Sequence, residues 1–270
     1  MLESLGGSPT TDGILAEMAH GSEETNNIDL SLVIPVYKNA ASLRELHGRL
    51  RTVLEATHLS YEIVFVNDAC PEGSHLVLHD LAEEDPGVVV VELRKNIGQQ
   101  RAILEGLRAA TGAMTVLMDA DLQDKPEDIP KLIRLLAGET SVVFAIRYGS
   151  YDSLLRSVAS RSFKWLLHVL SGVPSRAGIF SVMDTRMKKA LISASTSRVS
   201  VVASMGLAGL PFSSVPVMRS RRMTGISAYT ILDRLRMGGV IIFSVLMHRL
   251  GQAAQRMGSG RRDRRVRAEP

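Results

Sequence analysis

Residues 114–124 read MTVLMDADLQD, a stretch in which an apolar run changes abruptly into polar and acidic side chains. We predict that Met114–Met118 is a short strand buried on both faces. Asp119, Asp121 and Gln123 follow at alternate positions, and alternate residues of an extended chain face the same way. The stretch therefore predicts three oxygen ligands on one side, a donor set that suits a hard divalent cation such as Mg²⁺ or Mn²⁺.

The residues behind this stretch have a different predicted role. Pro126 is a favoured first-turn residue and Gly138 is a natural stop, so a helix is expected between them. Asp119 and Asp121 can also be read as loop residues ahead of that helix, because a D-x-D pattern alone is a weak signal. Their position directly after an apolar strand favours the metal site. Three further acids are assigned to the positive end of the helix dipole, namely Asp124, Glu127 and Asp128.

The chain on both sides of this stretch alternates apolar runs with amphipathic segments. The predicted strands are Leu30–Val36, Tyr61–Val66, Val88–Leu93, Met114–Met118, Ser141–Ile146 and Phe212–Met218. The predicted helices are one from Ser42, capped by a Ser42–Glu45 box, and Ser74–Glu84, Gly98–Ala110, Pro126–Gly138, Phe163–Leu170 and Ser227–Leu250. Strands that are apolar on both faces and separated by helices indicate an α/β fold, with a mostly parallel sheet covered by helices on both faces.

Polar residues follow the first four predicted strands, where open α/β sheets bind their ligands. Asp68, after the second strand, can accept hydrogen bonds from a base or ribose, or it can simply form a turn with Asn67. Gly98 opens a helix whose amides can face phosphate, or it is only a helix start. We expect the four strand ends to converge on one edge of the sheet.

The two ends of the chain differ from the region between them. Residues 1–28 are polar and acidic and are predicted to be a disordered leader, whereas residues 251–270 hold six arginines against two acids and are predicted to be a disordered basic tail. That tail is a solvated end or a contact for anionic lipid. Nucleic acid is not expected as a partner, because no aromatic side chains are interleaved with the arginines.

The predicted helix 227–250 is amphipathic, and its longest uncharged run, Met237–Met247, is too short to span a bilayer. It therefore packs on the catalytic domain, predicted as residues 29–226, or lies in the membrane interface. The chain has one cysteine, Cys70, and no visible signal peptide. We therefore expect a cytoplasmic protein, with peripheral contact to the cytoplasmic membrane face as a further possibility.

Four motifs in this order resemble glycosyltransferase family 2, which has the GT-A fold, and within it the polyprenyl- and dolichyl-phosphate sugar synthases. The motifs are Leu32–Tyr37, Ile63–Asp68, Asn96–Gln100 and Met118–Asp124. The resemblance covers roughly residues 29–250. It implies an inverting, metal-dependent transfer of a sugar from a UDP- or GDP-linked donor.

The resemblance also implies roles for individual residues. Asp119 and Asp121 would be catalytic and, with Gln123, would surround the metal and the diphosphate. Arg222 and Ser227, in a segment similar to the family's R-x-x-G-x-S-x-Y, would lie near donor or acceptor phosphates. The implied nucleotide-sugar site consists of Pro35, Val36, Tyr37, Asn39, Asn67, Asp68, Asn96, Gly98, Gln99, Asp119, Ala120 and Asp121.

The chain departs from the family pattern at three places. Lys38-Asn39 stands where the family usually has Asn-Glu, and Gly178–Val182 has Ile179 where an aspartate is often found. The pair of membrane helices that ends many relatives is not seen in this sequence, which favours a soluble enzyme.

The residue at 179 bears on the acceptor. A hydroxyl acceptor needs a positioned general base, whereas a polyprenyl phosphate is already ionised and needs only cations to hold it. Ile179 therefore favours a phosphate acceptor, unless Asp152 or Asp184 supplies a base. An anion-binding mouth, or alternatively a solvated face, is expected from Arg147, Arg156, Arg219, Arg221 and Arg222.

Three functions are compatible with the sequence. The first is a membrane-associated enzyme that glycosylates a polyprenyl phosphate. The second is a soluble glycosyltransferase that acts on a hydroxyl acceptor in a small-molecule or glycan pathway. The third is a weakly active sugar-nucleotide-binding partner protein.

Overall fold

The computed structural model describes residues 28–148, 168–169, 171–174, 176–194 and 200–218. The predicted leader, the helix 227–250 and the basic tail lie outside these residues, apart from Ile28. Of the predicted helix Phe163–Leu170, only His168 and Val169 are described, and both are helical.

The described residues form one seven-stranded sheet in the order β3-β2-β1-β4-β6-β5-β7. β1 to β4 are mutually parallel, β6 is antiparallel to both of its neighbours, and β7 is parallel to β5. The predicted mostly parallel sheet is therefore confirmed. The strands are β1 (Leu30–Val36), β2 (Tyr61–Asn67), β3 (Val88–Glu92), β4 (Met114–Leu117), β5 (Val142–Tyr148), β6 (Ala177–Asp184) and β7 (Phe212–Met218).

Helices cover both faces of the sheet, as predicted. The helices are α1 (Leu43–Glu55), α2 (Ser74–Glu84), α3 (Gln99–Ala109), α4 (Ile129–Ile133), α5 (Thr185–Ser193) and α6 (Val201–Leu207). Apolar side chains of α1, α2 and α4 pack with Leu32 and Ile34 of β1 on one face. Those of α3, α5 and α6 pack with Val33 of β1 and Phe144 of β5 on the other. Alternate residues of one strand thus enter two cores.

The sequence analysis missed β6, α5 and α6. β6 is interrupted by Gly178 and by Ser181, which is fully buried, so it does not form a continuous apolar run. It lies between β4 and β5, although it follows both of them in the chain. The position of β6 depends on pairing between distant segments of the chain, which local periodicity does not predict.

The predicted helix Pro126–Gly138 is wrong in form and in length. Residues 126–128 make a 3₁₀ turn, and α4 ends at Ile133. The amides of Leu135 and Leu136 then bond three residues back, to Leu132 and Ile133, so the chain tightens into turns. Gly138 follows with a φ of +62° in a later turn.

Gly106 shows how closely α3 approaches the sheet. A Cβ atom there would lie 2.8 Å from Val66 Cγ2 and closer still to Val33 Cγ1. We predict that Gly106→Ala lowers the free energy of unfolding by about 1–3 kcal/mol, because the helix must move away from the sheet. Gly48, exposed in α1 with nothing within 4 Å of its Cβ position, is the control. Gly48→Ala should raise stability by about 0.5–1 kcal/mol in urea unfolding. Equal effects of the two substitutions would contradict this packing.

Candidate active site

The carboxyl ends of β1, β2, β3 and β4 meet at one edge of the sheet, because these four strands are parallel. The predicted convergence of the polar strand ends is therefore confirmed. The chain continues from β1 to β2 and β3 on one side, whereas β4 lies on the other side of β1. Such a switch point forms the crevice in which open α/β sheets bind ligands.

The D-x-D loop, Asp119–Asp121, does not continue as an extended chain. Leu122 has a φ of +58° and is buried, and the Gln123 amide donates to Asp121 Oδ1 at 3.2 Å. The expectation that strand alternation sets three ligands on one side is therefore wrong, because the chain turns to bury Leu122. Asp119 is half-buried and Asp121 is 8% exposed. The metal-ligand roles of Asp119, Asp121 and Gln123 remain predictions.

The carboxylate of Asp119 is held by the start of α3. Gln99, the first residue of α3, donates from Nε2 to Asp119 Oδ1 at 2.7 Å. The amide end of a residue predicted to bind the nucleotide sugar is thus directed at a predicted metal ligand. Whether Gln99 also contacts a donor stays a prediction.

Asp68 is buried and binds the loop that leads into α3. Its Oδ1 accepts from the Ile97 amide at 2.7 Å, and its Oδ2 accepts from the Gly98 amide at 2.9 Å. The Gly98 amide, one of those expected to face phosphate, is therefore already used. Asn96 Nδ2 donates to the Asp68 carbonyl at 3.2 Å and strengthens the same junction. The nucleoside contact of Asp68 stays a prediction.

Asn67, at the end of β2, is buried and has partners at both ends of its side chain. Its Nδ2 donates to Glu92 Oε2 at 2.8 Å, and its Oδ1 accepts from the Cys70 amide at 3.1 Å. These bonds join the ends of β2 and β3. They give Asn67 a structural role at this edge of the sheet, and its contact with a donor is still a prediction.

Ser42 makes a contact that the sequence analysis missed. We predicted it to cap α1, but it makes no side-chain cap, so the Ser42–Glu45 capping box is wrong. Its hydroxyl lies 2.6 Å from the carbonyl of Ala120, the central residue of the D-x-D loop, and 2.9 Å from the Asn39 carbonyl. Ser42 therefore links the loop after β1 to the loop after β4. The sequence gives no indication of this contact, because a serine before a predicted helix has the pattern of an ordinary helix cap.

The loop after β1 is also fixed. Lys38 has a φ of +59°, and its amide donates to Cys70 Sγ at 3.1 Å. Burial raises the pKa of the Cys70 thiol, but hydrogen bonds from the Ser74 hydroxyl and from nearby backbone amides outweigh it, so that the pKa is lowered overall. Lys38 Nζ lies 5.5 Å from the centroid of the Tyr37 ring, which is half-buried. Pro35 and Val36 are buried in β1.

The oxygen ligands of the D-x-D loop suit a divalent ion that is bound partly by the protein and partly by a substrate. Among the described residues, no group of three or more His, Cys, Asp or Glu side chains is arranged to hold a metal. Mg²⁺-like ions are commonly bound by one or two carboxylates, with phosphate oxygens and waters completing the shell. Asp119 and Asp121 match that pattern.

The predicted acceptor residues are only partly described. Arg147 lies near the carboxyl end of β5, which runs parallel to β4 and so ends at the same edge as the D-x-D loop. β7 also ends at this edge, at Met218. The remaining predicted acceptor and base residues, Arg222, Ser227, Asp152, Arg156, Arg219 and Arg221, lie outside the described residues.

Ile179 and Asp184 lie at opposite ends of β6. Leu117 of β4 pairs with Ser181, and two residues further along the two chains stand Asp119 and Ile179. Ile179 is 9% exposed and belongs to the core. Near the end of β4 that leads into the D-x-D loop, β6 thus carries an apolar residue.

Asp184 cannot be the general base considered above. It pairs with Met114 at the start of β4, about 10 Å at 3.3 Å per residue from Leu117 at the other end of that strand, where the D-x-D loop begins. Its Oδ1 accepts from the Met187 amide at 2.8 Å as the N-cap of α5, and its Oδ2 accepts from Arg186 at 2.7 Å. Its role is structural.

A protein-family model described as "Glycosyl transferase family 2" matches residues 31–196. The chain belongs to glycosyl transferase family 2. A curated relative from Sodalis glossinidius (strain morsitans), named undecaprenyl-phosphate 4-deoxy-4-formamido-L-arabinose transferase, is 34% identical over 209 residues. The match covers 75% of this chain and 63% of that protein, which is less than two thirds of the relative's length.

Two solved structures share the fold. The glucosyl-3-phosphoglycerate synthase of Mycobacterium tuberculosis, in complex with Mn²⁺, UDP and glucosyl-3-phosphoglycerate, has a TM-score of 0.58 at 17% identity, covering 91% of this chain and 86% of that one. The mannosyltransferase of Pyrobaculum calidifontis, in complex with GDP-Man and Mn²⁺, has a TM-score of 0.55 at 18% identity, covering 80% and 64%. The α/β, GT-A class of fold predicted from the sequence is confirmed.

The described residues contain no helix that is both long and apolar enough to cross a membrane. The predicted helix 227–250 lies outside these residues.

Substitution of Asp184 separates the structural role from catalysis. We predict that Asp184→Ala lowers the free energy of unfolding by about 1 kcal/mol, through loss of the N-cap of α5, and leaves kcat within about twofold of the wild type below its melting temperature. The measurements are thermal unfolding and steady-state sugar transfer. A loss of kcat by orders of magnitude, with a normal melting temperature, would restore Asp184 as a base.

Proposed function

We propose that this chain transfers a sugar, with inversion, from a nucleotide diphosphate sugar to a polyprenyl phosphate. The observation that carries the proposal is that Asp119 and Asp121 lie in the loop after β4 at the ligand-binding edge of the sheet, whereas the neighbouring strand β6 carries the apolar Ile179 two residues before Ser181, the partner of the last residue of β4. Such a site can bind a cation and a diphosphate but offers no carboxylate at position 179 to deprotonate a hydroxyl.

The donor half of the site would be formed by the loops after β1, β2 and β4. Asp119 and Asp121, with Gln123, would hold Mg²⁺ or Mn²⁺, and the bound ion would neutralise the charge of the leaving diphosphate. Tyr37 and Asp68 would lie on the nucleoside side of the crevice. The Mn²⁺ and the UDP or GDP-sugar present in the two fold neighbours support this assignment.

The acceptor half would need positive charge rather than a base. A phosphate monoester is ionised at neutral pH and can attack the sugar carbon directly, so it needs cations only to position it. Arg147 at the end of β5, with Arg222 and Ser227 beyond the end of β7, would supply that positive charge and a hydroxyl donor. The curated relative named as an undecaprenyl-phosphate sugar transferase supports this class of acceptor.

The acceptor would place the enzyme at a membrane surface. A polyprenyl phosphate lies in the bilayer with its phosphate in the interface, so the edge with the D-x-D loop would face the lipid head groups. The predicted amphipathic helix 227–250 and the arginines of the tail would favour that orientation. A single cysteine fits the cytoplasmic face, where thiols stay reduced.

A soluble hydroxyl acceptor is the second candidate. It is favoured by the fold neighbour named as a glucosyl-3-phosphoglycerate synthase, which is matched over more of both chains than the mannosyltransferase. This candidate needs a general base such as Asp152, which lies outside the described residues. A sugar-nucleotide-binding protein with little activity is the third candidate.

The acceptor experiment compares matched lipids. The chain is incubated with radiolabelled UDP- and GDP-sugars, Mn²⁺ or Mg²⁺, and either undecaprenyl phosphate or undecaprenol in detergent. We expect transfer to the phosphate and none to the alcohol, because only the phosphate is a nucleophile without a base. Transfer to 3-phosphoglycerate in plain buffer, and none to the lipid phosphate, would select the second candidate. Donor binding without transfer to any acceptor would select the third.

The metal site is tested by Asp121→Ala. We predict a loss of transfer of about 1,000-fold or more, because an ion contributes several kcal/mol of charge stabilisation and about 1.4 kcal/mol corresponds to tenfold in rate. The same variant should also lose metal-dependent donor binding, which is measured by thermal shift in the presence of Mn²⁺ or EDTA. The control is Asp80→Ala, which removes an exposed carboxylate paired with Arg44. Unchanged turnover of Asp121→Ala would remove this residue from the site.

A further inference from the structure

Two adjacent glutamines begin α3 and make different contacts. Gln99 donates to Asp119 Oδ1 at 2.7 Å, and Gln100 Oε1 accepts from the Val201 amide at 2.7 Å. Both side chains are half-buried. The first therefore contacts the D-x-D loop, whereas the second joins α3 to the start of α6.

The backbone that carries Gln99 is itself held in place. The amides of Ile97 and Gly98 donate to the buried carboxylate of Asp68, directly before Gln99. Gly98 has a φ of +86° and a ψ of 149°, and its carbonyl accepts from the amides of Arg101 and Ala102 in the first turn of α3. The side-chain amide of Gln99 thus reaches Asp119 from a backbone that is fixed by Asp68 before it and by the first turn of α3 after it.

The chemistry of this contact suits a metal ligand. The torsion that turns an aspartate carboxylate is broad, so a carboxylate without a partner samples many orientations. A hydrogen bond to one oxygen restricts that rotation before an ion arrives. The side-chain amide of glutamine does this without positive charge, whereas a lysine or arginine at the same place would compete with the ion.

We propose that Gln99 is a positioning residue, which orients the Asp119 carboxylate for the divalent ion and so sets the affinity of the site for metal. The inference rests on the metal–diphosphate site of the proposed function. It assigns to Gln99 a role that acts through Asp119, rather than the direct donor contact predicted from the sequence.

The test compares Gln99→Met with Gln100→Met. Methionine has nearly the same length as glutamine, but it has no N–H to donate and its sulfur is only a weak acceptor. Gln99→Met therefore removes a donated hydrogen bond, and Gln100→Met removes an accepted one, from the same turn of α3. Calorimetry measures the binding of UDP or GDP at increasing Mn²⁺ concentrations and gives the Mn²⁺ concentration at which binding is half-saturated. The melting temperature of each variant is measured without ligand. We expect Gln99→Met to raise that concentration by about 10- to 100-fold and Gln100→Met to leave it within about twofold, at similar melting temperatures.

The outcomes separate the two ideas. If the wild type binds neither nucleotide in the presence of Mn²⁺, the proposed metal–diphosphate site fails and Gln99 has nothing to position. If the wild type binds but Gln99→Met needs no more Mn²⁺ than the wild type, only the positioning role is overturned. It is also overturned if the two variants raise the Mn²⁺ requirement equally, since the effect then comes from general damage to α3.

Discussion

The D-x-D loop is held from two sides by the starts of two helices that lie on opposite faces of the sheet. Ser42, before α1, bonds the Ala120 carbonyl, and Gln99, at the start of α3, bonds the Asp119 carboxylate. Asp68 fixes the junction from which Gln99 extends. The loops after β1, β2, β3 and β4 are thereby joined into one hydrogen-bonded unit, and the proposed donor site depends on it.

This unit fixes the loop that carries two carboxylates, Asp119 and Asp121, two residues apart. Carboxylates two residues apart repel when both are ionised, so their arrangement must be maintained by other contacts. The buried Leu122, with its φ of +58°, anchors the loop in the core directly after Asp121. A cation bound to both carboxylates, as proposed, would relieve that repulsion.

The parallel half of the fold could be predicted from the sequence because its signals are local. The observed bounds of Leu30–Val36 match the prediction, and those of Tyr61–Asn67 differ from it by one residue, since each strand contains an apolar run, Leu32–Val36 and Ile63–Val66, ahead of a polar loop. The position of the D-x-D loop at the strand ends followed from the same pattern. The insertion of β6 between β4 and β5 could not be predicted, because it depends on pairing between distant segments. The contacts of Ser42 and Gln99 cross between loops and leave no periodic pattern either.

Crystals grown with Mn²⁺ and a nucleotide diphosphate sugar, measured at the manganese absorption edge, test the central claim most directly. The account predicts one anomalous peak in contact with the carboxylates of Asp119 and Asp121, with the donor diphosphate on the other side of the ion and Gln99 still bonded to Asp119. A bound donor whose ion lies elsewhere, with both carboxylates turned away from it, would contradict the account.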